Sequence, residues 1–501
     1  MGDRAGTSGR ARGALAGLVA GYALLALVAG APGSPLVPPL PDGVSTPWWA
    51  ARGAAALGLD RLSYGQLVAV SLCILAGLVG LFALLLVEAW RGHARPGTVL
   101  IVSAVAIGVA VAAPLLLSRD VYSYASYGRM VALHDANPYA SVPAAFPADP
   151  FTPVVSAEWF HTRSVYGPVF TLLSAGIARA WTGSPGATVL AFKVLAGLAA
   201  AGATALAASS ARAVRPERVA FAAALVGLNP VIVVHTVGGG HNDALIALGL
   251  AGALALATST RARPARSPTA LLITAALSLT ALVKVVAAIP LLLWVATAIR
   301  RSEPGRRVRT AAAHAGLAAL ITLAATAPVF SGWHTVTALA NLASRQGWAS
   351  PARLVARAAI GPGLCCHWLE SGVTGVVFAL FLLPVVLLVW RLLREPDARP
   401  VADAWGSALL LFALAAPYLL PWYVAWFVVP LALMRDGGLI VAGVAAASVL
   451  ALTGIPAEPA ASPGLWRDML LAVHYVAAPA MLVLFAITLR RVFRRPVAAA
   501  G

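Results

Sequence analysis

Runs of apolar residues long enough to cross a bilayer follow one another from residue 14 to residue 489, and short arginine clusters lie between them. Each run reads as a membrane helix. With 60% hydrophobic and only 11% charged residues, the chain is expected to be an all-α polytopic membrane protein, one integral membrane domain over residues 1–501. A formal net charge of +18 would suit nucleic acid if the basic residues shared one soluble face. They are spread instead through the connections between apolar runs, where they act as topology signals, so no nucleic-acid partner is expected.

The charges set a direction for each crossing. Arg4, Arg10 and Arg12 precede the first run and hold the N-terminus in the cytoplasm. Runs over 66–90 and 97–117 then return and leave again, which puts Asp120 on the outer, periplasm-like face. Residues 118–165 form a first large external loop, longer than a plain connection needs. Two apolar stretches follow before the arginines at 212, 215 and 218, but parity allows only one crossing. Residues 167–181 are therefore expected at the outer interface or as a re-entrant helix, while 185–211 crosses with Lys193 near its outer end.

Parity recurs at 269–299, which basic clusters flank on both sides. A hairpin of two short helices with Lys284 at its tip satisfies it. A single long tilted helix with a snorkelling lysine is the alternative, and it would invert everything downstream. A second large external loop is expected at 331–372, and a second hairpin within 404–434 with residues 417–423 at its tip. Arg490, Arg491, Arg494 and Arg495 keep the C-terminus inside, for about fourteen spans in all. Cys73, inside an apolar run, is expected to pack there; Cys365 and Cys366 read as two free thiols rather than a strained vicinal disulfide.

The polar residues collect on one side. Asp120 sits where a helix leaves the membrane, a place where an acid is either an ion-pair residue or functional. Arg119, Tyr122, Tyr124, Tyr127 and Arg129 surround it in sequence, a lining suited to a sugar or a phosphate. Asp149, between Ala148 and Pro150, reads as a turn residue. His241, Asn242 and Asp243 follow three glycines and supply groups for hydroxyl recognition, or cap the next helix. Lys193 and Lys284 are cations recessed in apolar helices and need either a bound phosphate or a protein acid. The first external loop has no Asp-x-Asp pair and no metal site is expected.

These motifs carry a resemblance. Arg119-Asp120-Val121-Tyr122-Ser123-Tyr124, Asn137-Pro138-Tyr139, Val165-Tyr166-Gly167-Pro168, Gly239-Gly240-His241-Asn242-Asp243, Leu282-Val283-Lys284 and Pro421-Trp422-Tyr423-Val424-Ala425-Trp426 resemble the actinobacterial polyprenyl-phosphate-mannose-dependent alpha-1,6-mannosyltransferases that elongate lipomannan. The likeness runs from about residue 60 to 490.

The resemblance implies a GT-C glycosyltransferase-like bundle, with interfacial helices in its large external loops, in the plasma membrane. It implies a polyprenyl-phosphate-mannose donor, a mannan or lipoglycan acceptor, contact with membrane lipids, and inversion at the outer face. Asp120 takes the place of the catalytic acidic residue, alone in its motif where many relatives carry a pair. Arg119, Lys193 and Lys284 are then assigned to the donor phosphate, and His241, Asn242 and Asp243 to a sugar. Tyr122, Tyr124, Trp422 and Tyr423 become stacking surfaces. No cofactor is implied, and a divalent ion is left open. The rival readings are a polyprenyl-lipid flippase and a GT-C enzyme for another sugar such as arabinofuranose. A flippase calls for repeats and polar inner helix halves, whereas the polar clusters here are one-sided.

Overall fold

The computed structural model describes residues 6–259, 265–340, 345–360, 367–396, 399–454 and 461–494, and these are helical with connecting turns. Cys365 and Cys366 lie outside the described residues. Among the described residues, seven segments are long and apolar enough to cross a membrane, including Gly9–Ala29, Tyr64–Trp90, Pro185–Val214 and Pro216–Val237. Shorter apolar helices fill the spaces between them. The protein is a helical membrane protein.

The first elements are α1 (Gly9–Ala29), α2 (Trp48–Ala56), α3 (Tyr64–Trp90) and α4 (Pro96–Ala112). Ser8 caps α1, and Ser63 with Gln66 makes a capping box at α3, so free N–H groups at both starts are satisfied. Cys73 is exposed on α3. It faces outward from the bundle rather than packing within it. Helix α4 ends at Ala112, short of the apolar run's end at Leu117, because Pro114 brings no N–H to continue it. The chain then turns through hydrogen bonds from Leu116 N to Gly238 O and from Leu117 N to Leu36 O, at 3.0 and 2.7 Å. Leu117 is left-handed there, with φ of 61°, a conformation costly for a residue with a Cβ. This turn launches α5 (Asp120–Leu133).

In the first large loop, α6 (Ala157–Phe160) precedes α7 (Pro168–Ala180), which lies along α5. Gly128 of α5 meets the Ser174 carbonyl of α7 so closely that a side chain would not fit. The chain continues as α8 (Pro185–Val214), α9 (Val219–Gly227), a π-helical turn over Val231–Val237, and α10 (Asp243–Ser259). Every residue of α9 is buried, and a helix apolar all round belongs at the centre of a bundle.

Helices α11 (Pro268–Ala281) and α12 (Ala288–Arg300) form the first hairpin. Trp294 Nε1 of α12 donates to the Ala270 carbonyl of α11 at 3.2 Å. In one continuous helix those residues would stand about 36 Å apart, so the tilted-helix alternative is excluded. The next elements are α13 (Arg307–Thr326), α14 (Trp333–Ala340), α15 (Pro351–Ile360), α16 (His367–Arg394), α17 (Val401–Ala415) and α18 (Val424–Leu433). Helices α17 and α18 form the second hairpin, since Arg435 N, just past α18, donates to Asp403 in the first turn of α17 at 2.7 Å. Last come α19 (Gly437–Ala451), α20 (Pro463–Ala472) and α21 (Ala478–Phe493), the final two merging through a π-turn into one span, Pro463–Phe493.

Candidate active site

The ends of these elements bring the sequence motifs together. Asp120 opens α5, its backbone N–H donating to Ser118 Oγ at 3.1 Å. Its carboxylate lies 3.5 Å from Nδ1 of His241 and is 15% exposed, while His241 is fully buried. His241 Nδ1 also faces the Tyr124 hydroxyl at 3.3 Å. The His241 ring stacks on Trp422, with centroids 3.7 Å apart and planes 18° from parallel. Its position depends on Gly240, which is left-handed with φ of 64° and turns the chain as only glycine does easily.

Burial pushes the Asp120 carboxyl up to about 7. The nearby Lys284 charge opposes that shift, while Glu158 and Asp243 add to it. Burial, reinforced by Lys284, holds the His241 imidazole well below the usual histidine range, so the ring is neutral. An acid titrating near neutrality, with a neutral ring orienting it and a narrow opening to water, has the properties of a general base.

Lys284 occupies the break between α11 and α12. Its ammonium donates to Asp243 Oδ1 and Oδ2 at 2.9 and 3.1 Å, and Trp426 Nε1 donates to the same Oδ1 at 2.6 Å. Tyr423 stacks on Trp426 at 3.6 Å, and the ammonium lies 4.7 Å above the Tyr423 ring. Asp243 therefore neutralises Lys284 and does not cap α10. The break is itself pinned: Gly167 N and Val169 N donate to the Val283 and Leu282 carbonyls, both at 3.1 Å.

Comparison with known proteins follows this geometry. The alpha-(1->6)-mannopyranosyltransferase family, through its N-terminal domain, matches residues 16–300. The chain belongs to this family. It is 32% identical over 357 residues to alpha-(1->6)-mannopyranosyltransferase A of Mycobacterium tuberculosis (strain ATCC 25618 / H37Rv), covering 66% of each chain. The match thus spans just under two thirds of that relative's length. A second alpha-(1->6)-mannopyranosyltransferase of the same organism is 27% identical over 449 residues, covering 77% of this chain and 73% of the relative. Alpha-(1->6)-mannopyranosyltransferase B of Corynebacterium glutamicum is 27% identical over 347 residues, covering 63% of this chain and 55% of the relative. No solved structure matches.

In this mannopyranosyltransferase-family chain the structure brings Asp120, Tyr124, His241, Asp243, Lys284, Trp422 and Tyr423 together. Tyr124 is enclosed by Tyr166, Phe170 and Phe192. Asn242 follows His241, and neither polar atom of its side chain has a hydrogen-bond partner; the same holds for His241 Nε2 and the Tyr122 hydroxyl. Buried polar atoms in that state are where a ligand or water is accommodated. Arg119 directly precedes Asp120. Lys193 stands apart, behind Gly240. Its ammonium donates to the Ala113 and Pro114 carbonyls at the end of α4. Asp149 accepts from Phe151 N in a turn, as the sequence suggests, and also pairs with Arg129 at 2.7 Å and His134 at 2.9 Å.

Five residues of this family member's site escape sequence reasoning. Trp426 is one, although it lies three positions after Tyr423 on the same helical face. The other four form an outer layer over Asp120. The Trp159 side chain hydrogen-bonds Asp120, and the Arg345 guanidinium lies 5.3 Å above the Trp159 ring. Arg345 also pairs with Glu158 at 3.5 Å, and the Tyr418 hydroxyl donates to Glu158 at 3.1 Å. These come from three distant parts of the chain with no shared motif, so only their convergence reveals them.

Proposed function

We propose that this chain is a membrane glycosyltransferase that moves mannose from a polyprenyl-phosphate-mannose donor to a mannan or lipomannan acceptor. The alpha-1,6 linkage forms with inversion on the outer face of the plasma membrane. The observation that carries this reading is a narrowly exposed carboxylate, Asp120, held beside a neutral histidine and under aromatic walls in a member of the alpha-(1->6)-mannopyranosyltransferase family. In this reading Asp120 takes the proton of the acceptor hydroxyl. The hydroxyl oxygen attacks the anomeric carbon in line as the carbon–oxygen bond to phosphate breaks, and the polyprenyl phosphate leaves as the anion.

Trp422, half-buried and stacked on His241, offers a face to a sugar, and the free polar atoms of His241 and Asn242 supply hydroxyl contacts. Tyr122, Tyr124, Tyr423 and Asp243 form the buried layer behind that face. Arg119 is the cation assigned to the donor phosphate, while Lys284 stays paired with Asp243 behind it. Lys193 is assigned to the same phosphate from a mostly apolar cavity of about 500 Å3 that it shares with Tyr122, Leu40, Val111 and Leu190. Such a cavity suits the first isoprene units of the donor. Residues 118–165 and 331–372 are the external loops in this arrangement. Counting the short hairpin helices as passes gives about fourteen spans with both termini in the cytoplasm.

The test is transfer by the purified protein from polyprenyl-phosphate-mannose to short alpha-1,6-mannosides, comparing wild type with Asp120→Asn. Wild-type transfer lost in the variant supports the reading. Full transfer by Asp120→Asn removes Asp120 as the base. ATP-independent lipid scrambling without transfer to any mannosyl acceptor points to the flippase instead.

A further inference from the structure

The first turn of α5 serves two spaces. Asp120 turns its carboxylate to His241, while Tyr122, two residues on, stands on another face of the helix. Tyr122 lines the mostly apolar cavity of about 500 Å3 that also holds Lys193. A thin wall separates this cavity from the Asp120–His241 pair. Val121 lies between Asp120 and Tyr122, and Gly240, just before His241, backs onto Lys193. A Cβ on Gly240 would stand 2.7 Å from Val121 Cγ2 and 3.5 Å from Lys193 Cγ, so the wall has no room for a side chain there.

The sequence casts Tyr122 as a stacking surface, but the residue is fully buried and its ring lies beside Phe151, with centroids 6.2 Å apart. That ring is closed to a sugar. Its hydroxyl is buried without a hydrogen-bond partner, a state that costs free energy unless a ligand or water accepts from it. Burial holds the phenol far above its ordinary range, against the opposing Arg119 charge, so the group keeps its proton and donates. Lys193, 2% exposed, directs two of its three N–H groups to the Ala113 and Pro114 carbonyls. The cavity walls include Leu40, Val44, Val111 and Leu190. A ligand with an apolar body and an anionic head that accepts hydrogen bonds matches this lining.

We propose that Tyr122 is a further catalytic residue for the polyprenyl-phosphate donor proposed above: its hydroxyl donates to an oxygen of the lipid phosphate, beside the Lys193 ammonium, with the first isoprene units between residues 40–47 and α8. The proton of the acceptor hydroxyl goes to Asp120, and the electron pair of the breaking carbon–oxygen bond goes to the phosphate. Tyr122 keeps its own proton, and its hydrogen bond strengthens as that negative charge arrives. Base and phosphate donor stand on different faces of one helical turn, which suits a displacement whose nucleophile and leaving group lie on opposite sides of the anomeric carbon.

Binding of farnesyl phosphate, and of farnesol as the same chain without phosphate, is measured on the purified full-length protein by native mass spectrometry. Tyr122→Phe removes a hydroxyl that has no protein partner, so the fold is kept. It is expected to weaken farnesyl phosphate about tenfold, as loss of a hydrogen bond to a charged group requires, and to leave farnesol unchanged. At Gly186 a Cβ would stand 3.9 Å from Val44 Cγ2 on the cavity wall, so Gly186→Leu fills the apolar part and should weaken both ligands. Tyr22→Phe, which removes a buried hydroxyl bonded to the Leu228 carbonyl in α1, should change neither. Wild-type affinity for farnesyl phosphate in Tyr122→Phe, equal loss of both ligands in that variant, no preference for the phosphate in wild type, or unchanged binding in Gly186→Leu overturns the proposal. Transfer from polyprenyl-phosphate-mannose to an alpha-1,6-mannoside is the second readout, and kcat/KM for the donor should fall about tenfold in Tyr122→Phe with the pH of the rise unmoved. Phosphate-selective binding lost in Tyr122→Phe, in a wild type that transfers no mannose, keeps the lipid-phosphate site and rejects mannosyl transfer. Equal transfer by wild type and Tyr122→Phe keeps mannosyl transfer and rejects the role of Tyr122.

Discussion

Lys284 donates to both carboxylate oxygens of Asp243, at 2.9 and 3.1 Å, from the break between two short antiparallel helices. The pair closes α10 onto the α11–α12 hairpin, and Trp426 brings α18 to the same oxygen. Removing one partner leaves the other charge buried and alone. Lys284→Met is therefore expected to cost about 3–5 kcal/mol of stability, read as a fall in the unfolding temperature of the detergent-solubilised protein. Lys284→Met/Asp243→Leu is expected to recover most of that loss. A double variant no more stable than the worse single one would show that the pair does not act as a unit.

The pH dependence of transfer follows from the same charges. Asp120 sits at about 7 because burial raises it, so the working carboxylate forms only as pH rises through that value. Transfer under kcat/KM conditions is expected to climb through neutrality and level off above it. The Lys284 charge holds Asp120 down, so Lys284→Met should move the rise to higher pH. Glu158 pushes Asp120 up, so Glu158→Gln should move it to lower pH. Shifts in the same direction for both variants would contradict this electrostatic account.

Much of this site was readable in the sequence because a membrane makes charge expensive and therefore conspicuous. Asp120, Lys284 and the run from His241 to Asp243 stand out against apolar flanks, and parity of the arginine clusters required the hairpin that Trp294 and Ala270 confirm. Pairing was not readable. Asp243 and Lys284 are far apart in sequence, so whether the lysine meets a phosphate or an acid depends on how α10 approaches the hairpin. Lys193 illustrates the same limit, because its partners are backbone carbonyls just past α4, which leave no trace in residue type. The outer layer of Glu158, Trp159, Arg345 and Tyr418 was hidden because it is assembled from three segments far apart in the chain.

Gly167 offers a test of how tightly the lysine-bearing break is held. Its N–H donates to the Val283 carbonyl, and a Cβ there would run into the Leu282 backbone. Backbone cannot step aside as a side-chain tip can, so Gly167→Ala is expected to displace Leu282 and Lys284. The expected result is a loss of about 2 kcal/mol or more in stability, together with most of the transfer activity. Gly176→Ala, inside α7, the helix that begins just after Gly167, meets nothing within 4 Å and should be neutral or stabilising by about 0.5–1 kcal/mol. Equal effects from the two substitutions would mean that the contact with Leu282 does not set the break.

His241 is expected to act through Asp120 rather than on substrate protons. Its Nδ1 faces the carboxylate at 3.5 Å, and the ring is neutral because burial and Lys284 both oppose its protonation. Replacing a neutral orienting group changes geometry without changing charge. His241→Gln should therefore lower kcat, by about tenfold to a hundredfold for a misplaced base, while the pH at which activity rises stays near 7. Trp422→Ala removes the stacking partner at 3.7 Å, a contact worth about 0.5–1.5 kcal/mol, and should raise KM for the acceptor more than it lowers kcat. Full pH profiles of both variants separate the two roles. A rise displaced to higher pH in His241→Gln would mean that the imidazole carries a proton beside Asp120, and the base would then be the ion pair rather than the acid alone.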